Sequence, residues 1–197
     1  MIGIPVAFVT AGAFEWWAHK HILHGKGRKK ESFWAFHFHE HHSTARRNDM
    51  IDADYLRSPF RWNAQGKEVL ALAALAVPIA AVFPVAPFWS ATSLWHLGHY
   101  YRVHKRSHLD PDWGREHLPW HYDHHMGPDQ DKNWGVTRPW MDKLMGTRVV
   151  YKGTPKEDAD RARRAKVRAE REAKAAANSA PAARDAPPAA GGRTQAG

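Results

Sequence analysis

The sequence predicts an all-α, integral-membrane helical bundle: a transmembrane hairpin, a histidine-rich helical cap on one side of it, and a polar C-terminal tail. Three observations carry this. From Val69 to Tyr101 there are 33 residues without Asp, Glu, Lys or Arg, and a charge-free run beyond about 18 residues is a candidate membrane span. The 15 histidines fall into clusters on both sides of that run, and the chain has no cysteine. Disulfides, zinc ribbons, iron–sulfur clusters and thiol nucleophiles are thereby excluded, leaving nitrogen and oxygen ligands. The formal charge of +9 lies mainly in the polar stretches.

Composition divides the chain into an apolar start (1–18), a His-rich basic stretch (19–68), the apolar run (69–101), a second His-rich stretch (102–150) and a tail (151–197). Residues 1–150 are expected to form the working domain and 151–197 a charged, Ala/Pro-rich, disordered tail. The start lacks a basic region before its apolar stretch, which argues for a retained membrane segment over a cleaved signal peptide. Its first charge is Glu15, while Trp16 and Trp17 suit a membrane interface.

The apolar run is too long for one crossing, since 33 helical residues reach about 50 Å against a core of about 30 Å. Pro78, Pro84 and Pro87 sit near its middle and are expected to break it. A hairpin, Val69–Phe83 in and Val85–Tyr101 out, accounts for both facts and returns the two His-rich stretches to one side. Lys20, Lys26, Arg28, Lys29, Lys30, Arg46, Arg47, Arg57, Arg61 and Lys67 place that side, with the C-terminus, in the cytoplasm of a bacterial inner membrane. In the tail, Glu157 to Ala177 is rich in helix formers without an apolar face, and beyond Ser179 the Pro, Ala and Gly content predicts disorder. Net charge alone hints at nucleic acid; with much of it in loops and tail, no nucleic-acid partner is expected.

The histidine spacings have metal-chelating geometry. On a helix at about 100° per residue, His104 and His108 are about 40° apart, and His121, His124 and His125 lie at about 0°, −60° and +40°. His19 and His24 lie about 140° apart on an ideal α-helix and would need a helix end or a neighbour. The group His37, His39, His41, His42 is irregular, so His37 and His39 compete, as do His19 and His21. Imidazole suits iron, zinc, copper or nickel, and ten or more rings exceed the four to six ligands of one ion, so two metals are expected. His96, His99 and His117 stand outside the clusters.

The order H-x(4)-H, H-x(3)-H-H, H-x(3)-H, H-x(2)-H-H about a membrane hairpin resembles the fatty acid hydroxylase / sterol desaturase superfamily of integral-membrane non-haem di-iron oxygenases. The segment Ala18–Asn48, with AHKHILHG and HEHHSTARRND, is similar to bacterial β-carotene hydroxylases. Asn133–Thr147, ending W-x-D-x-x-x-G-T, is similar to the fatty acid and sterol branch. The resemblance covers about residues 5–150. It implies metal ligands at His19, His24, His37, His41, His42, His104, His108, His121, His124 and His125. It further implies two Fe ions, with Zn as a possible substitute, and O2 as co-substrate. A membrane-delivered fatty acyl, sterol or carotenoid lipid would be hydroxylated or desaturated, with electrons from a ferredoxin or cytochrome-type donor. Glu40, Asp123 and the Asn48 of Asn48-Asp49 are candidates to orient the rings, with Asp110, Glu116 and Asp129 further ones.

Competing functions are a carotenoid ring hydroxylase in particular, and a non-catalytic membrane metal-binding or transport protein. A b-type cytochrome needs far fewer histidines, and a zinc hydrolase lacks H-E-x-x-H.

Overall fold

A computed structural model describes residues 1–179, and among these the chain is all-α, with eight α-helices and no strand. Compact packing divides it into a unit Met1–Asp158 and a second beginning at Ala159. The first unit runs past residue 150 because Tyr151 packs with Met50, Tyr122 and Met126, and the buried Glu157 carboxylate pairs with Arg115 at 2.6 Å. The predicted tail helix is present as Pro155–Ser179. The disorder expected beyond Ser179 lies outside the described residues.

Helix α1, Gly3–Ala18, packs along α4, Pro87–Leu109. The approach is close at Gly3, where a Cβ would stand 2.9 Å from the Trp89 amide nitrogen. Helix α3, Ala64–Ala81, starts at Asn63, whose side chain accepts the Gly66 N–H at 3.0 Å. It returns through residues 82–86 into α4, forming the predicted hairpin with different limits.

The expected break at Pro78 does not occur. Pro78 lies within the last turn of α3, where the loss of its one backbone bond to Ala74 is tolerated. The turn is made around Pro84, and Pro87 opens α4 at the position where proline needs no N–H partner. Helix α4 then continues eight residues beyond Tyr101, so His104 and His108 ride on the outgoing arm itself.

Among the described residues only α3 is long and apolar enough to cross a membrane, and 22% of that span is buried in the protein. The exposed remainder carries Leu70 and Val77, and neighbouring α1 and α4 expose Ile4, Val6, Val9, Phe88 and Trp95. A helix packed in a water-soluble core would bury such side chains.

The polar half is built from short helices. Helix α2 is Ser43–Arg47, α5 is Pro111–His117, α6 is Pro119–Met126 and α7 is Trp140–Leu144. Prolines open α5 and α6, and the Asp110 side chain caps α5 by accepting the Trp113 N–H at 3.1 Å. Two stretches are π-helical, His19–Lys26 and Phe36–His42. The interior here is mostly imidazole.

Candidate metal centre

Two adjacent groups of buried histidines occupy that interior. His19, His24, His37, His42 and His124 form the first, and His41, His104, His108 and His125 the second; within each, the candidate ligand nitrogens lie within 4.8 Å of one another. His121 adjoins the second group, its Nε2 3.2 Å from that of His108.

The π-helices explain the first group. An i→i+5 winding brings residues five apart onto one face, where an α-helix would separate them. His19 and His24 are such a pair, with ring centroids 5.1 Å apart, and so are His37 and His42, whose Nε2 atoms are 3.2 Å apart. Ordinary α-helices supply the second group apart from His41, which comes from the Phe36–His42 stretch. His104 and His108 on α4, and His121 and His125 on α6, are i,i+4 pairs with centroids 4.9 Å and 4.6 Å apart. The adjacent rings diverge: His41 turns to the second group and His42 to the first, as His125 and His124 do.

The outer nitrogens identify the tautomers. Nδ1 of His19 lies 2.6 Å from the Trp134 carbonyl, that of His124 2.7 Å from Lys132 O, and that of His108 2.8 Å from Met50 O. A carbonyl only accepts, so each Nδ1 carries the hydrogen and each Nε2 presents a bare lone pair inward. His41 and His104 donate in the same way to Asp52 (2.8 Å) and Glu68 (2.6 Å), and His42 to Gln130 Oε1 (3.0 Å). Tyr55 O–H holds the other Glu68 oxygen at 2.7 Å.

Burial pushes His19 down to about 4 and the rings of His24, His37, His41, His42, His124 and His125 below their ordinary value. These imidazoles are therefore neutral near pH 7.

Neutral rings with Nδ1 protonated cannot hydrogen-bond to one another through Nε2. Yet Nε2 of His42 and His124 face each other at 3.2 Å, and Nε2 of His41, His104 and His125 are buried without a hydrogen-bond partner. Lone pairs converging in a dry interior are costly unless a cation lies between them. The donor set fits nitrogen-liganded metal ions, one to each group.

The alternatives left open by spacing separate clearly. His37 is buried in the first group, whereas His39 is outside it, bonded to Arg28 O at 3.0 Å; His19 is inside and His21 packs outside against Trp16 and Trp17. None of the three orienting residues Glu40, Asn48 and Asp123 touches a ring in either group. Glu40 lies on the outer face of its helix, paired with Lys67 at 2.7 Å. Asn48 returns its amide to Thr44 O, and Asp123 pairs with Arg148 and the Lys152 N–H, each at 2.7 Å. Asp52, Glu68 and Gln130 take that place. Glu68 did carry a signal, as the last charge before the apolar run.

An apolar cavity of about 580 Å³ is lined by residues of α1, α3 and α4 and also by His19, His37 and Glu68. Leu72, Leu75, Ile79, Phe14, Trp34 and Phe36 supply much of its wall.

Fold and site together define an all-α protein with two histidine-built candidate metal sites, the first of which lines an apolar cavity. The fatty acid hydroxylase family model matches residues 4–147, and the chain belongs to that family. Searches among curated proteins and among solved structures give no match.

Proposed function

We propose that the protein is an O2-dependent lipid hydroxylase of the membrane, working with two histidine-held iron ions. The observation that carries this reading is the apolar cavity lined in part by His19 and His37. Such a cavity selects a long hydrocarbon and presents one of its C–H bonds to the first histidine group. His19, His24, His37, His42 and His124 would hold one ion, and His41, His104, His108, His121 and His125 the other. Bound iron would supply O2 activation and removal of hydrogen from an unactivated C–H bond. In balance, substrate, O2, two electrons and two protons give the alcohol and water, with the electrons coming from a ferredoxin or cytochrome-type donor.

The chain's own contribution is placement. Asp52, Glu68 and the carbonyls of Trp134, Lys132 and Met50 hold the rings of His41, His104, His19, His124 and His108 with Nε2 inward, and the cavity wall would exclude water from the reacting carbon. The exposed apolar surfaces of α1, α3 and α4 support a membrane setting from which a lipid enters, with the basic stretches and the histidines on the cytoplasmic side.

Two measurements test this. Iron analysis of the detergent-purified protein should find about two ions per chain, and fewer than one would end the di-metal reading. Expression in a carotenoid-producing host and a plain host, followed by lipid mass spectrometry, should reveal products heavier by one oxygen and identify the substrate class. Full metal with no oxygenated lipid in either host, given a reducing partner, would leave a metal-binding protein without this activity.

A further inference from the structure

The segment from Lys132 to Thr137 has no helix of its own, yet it touches the first histidine group twice. Its carbonyls at Lys132 and Trp134 accept from His124 and His19. What holds this segment is unusual, because its amides are taken by two carboxylates, the buried Asp142 close by in the chain and the part-buried Glu15 from the first helix. Asp142, on α7 and fully buried, receives the Trp134 N–H at 2.8 Å and the Gly135 N–H at 2.7 Å. Glu15, on α1, receives the Val136 N–H at 2.5 Å, the Thr137 N–H at 2.9 Å and the Thr137 hydroxyl at 2.7 Å. Four consecutive N–H groups thus point at two anions.

Asp142 is itself held from two sides, by Thr147 O–H at 2.7 Å and by the Trp16 indole at 3.2 Å. Its backbone carbonyl also receives the Thr147 N–H at 2.8 Å. Asn133 turns the chain at φ 60°, a conformation asparagine tolerates, while its side chain accepts from Val149 N–H and Arg148. None of these contacts reaches the second histidine group, whose Nδ1 partners are Asp52, Glu68 and Met50 O.

We infer that Asp142 and Glu15 are positioning residues for the first metal site alone, acting through the backbone at 132–137. Charge-assisted bonds at both oxygens of Asp142 fix the peptide planes, so the Trp134 carbonyl meets His19 Nδ1 and commits its Nε2 to the metal. This gives the W-x-D-x-x-x-G-T stretch at 140–147 a role: its Asp and Thr are the clamp. The inference rests on the di-metal reading and concerns metal binding rather than oxygenation.

The test is Co2+ titration of the metal-free, full-length protein in detergent, followed by visible absorption, with final metal content measured after gel filtration. Asp142→Asn keeps the size but turns an amide toward a backbone N–H that needs an acceptor. It should weaken one of the two Co2+ ions by about 10- to 100-fold and leave the other unchanged. Thr147→Val, a milder change that keeps the volume, should weaken the same ion by less, and it serves where Asp142→Asn does not fold. Two ions bound as in the unaltered protein, or equal weakening of both, would overturn the inference while leaving the di-metal reading intact. Fewer than two ions in the unaltered protein would overturn both.

Discussion

The two histidine groups are close neighbours and differ in almost every respect of construction. The second combines i,i+4 pairs on α4 and α6 with His41 from the Phe36–His42 stretch, and two carboxylates, Asp52 and Glu68, stand behind His41 and His104. The first depends on two π-helical stretches, and His42, His124 and His19 are backed by neutral oxygens of Gln130, Lys132 and Trp134, with the Asp131 carboxylate 3.9 Å from His24 Nδ1. Only the first sends rings, His19 and His37, into the apolar cavity. Carboxylates accept from two rings of the second group, whereas the rings of the first that have an Nδ1 acceptor are bonded to neutral oxygens and only the first lines the cavity. Nearly equal ligand sets can thus be given different tasks by what stands behind them.

The largest expected effect breaks the comparison at its narrowest point, the adjacent pair His41 and His42. His41→Ala and His42→Ala should each lower bound iron from about two ions per chain to about one, from different groups, and abolish the oxygenated product. Iron analysis with Mössbauer spectra of the two variants checks this, and identical residual spectra would show that the groups are not distinct.

Next in size is the cavity. Leu75→Trp fills it from α3 and should lower product formation by about 100-fold through misplacement of the reacting carbon, with both ions retained. Lipid mass spectrometry beside metal analysis separates these outcomes.

Glu68→Gln and Asp52→Asn should each weaken the second-group ion by about 10- to 100-fold and leave the first unchanged, the reverse of the Asp142→Asn pattern. Competition with a chelator measures it.

The smallest effect is a control at an ion pair between α5 and the stretch after residue 150. The Arg115 guanidinium holds the Glu157 carboxyl down to about 2, against an ordinary value of 4.5. Because the folded-state value is lowered, the stabilisation is present above pH 4.5 and disappears as pH falls from 4.5 toward 2. Arg115→Ala should cost about 1.5–3 kcal/mol at neutral pH, with no loss of metal. Denaturant unfolding in parallel with metal analysis would show it.

Legibility in the sequence followed the range of the interactions. The pairs His104/His108 and His121/His125 were readable because α-helical periodicity is local. His19/His24 and His37/His42 gave no such pattern, since five-residue spacing is wrong for an α-helix and right only for the π-winding that the packed histidines adopt. Glu40 and Asp123 sit beside histidines in the chain and point elsewhere, because neighbours on a helix face different directions. Asp52 and Glu68 lie 11 and 36 residues from the rings they orient, too far for spacing to reveal. Glu15, the first charge in the apolar start, proves to be a part-buried acceptor for a loop 121 residues away.

By itself the sequence determined the helical class, the returning hairpin, the absence of thiol chemistry and the clustering of the histidines, all properties of composition and local period; the set of ten came from the family resemblance. Tertiary structure alone decided how the buried rings divide into two groups, which tautomer the six rings with an Nδ1 acceptor adopt, and which group meets the cavity. The reason is physical: a ring's role depends on the acceptor behind it and the space before it, and distant segments supply both.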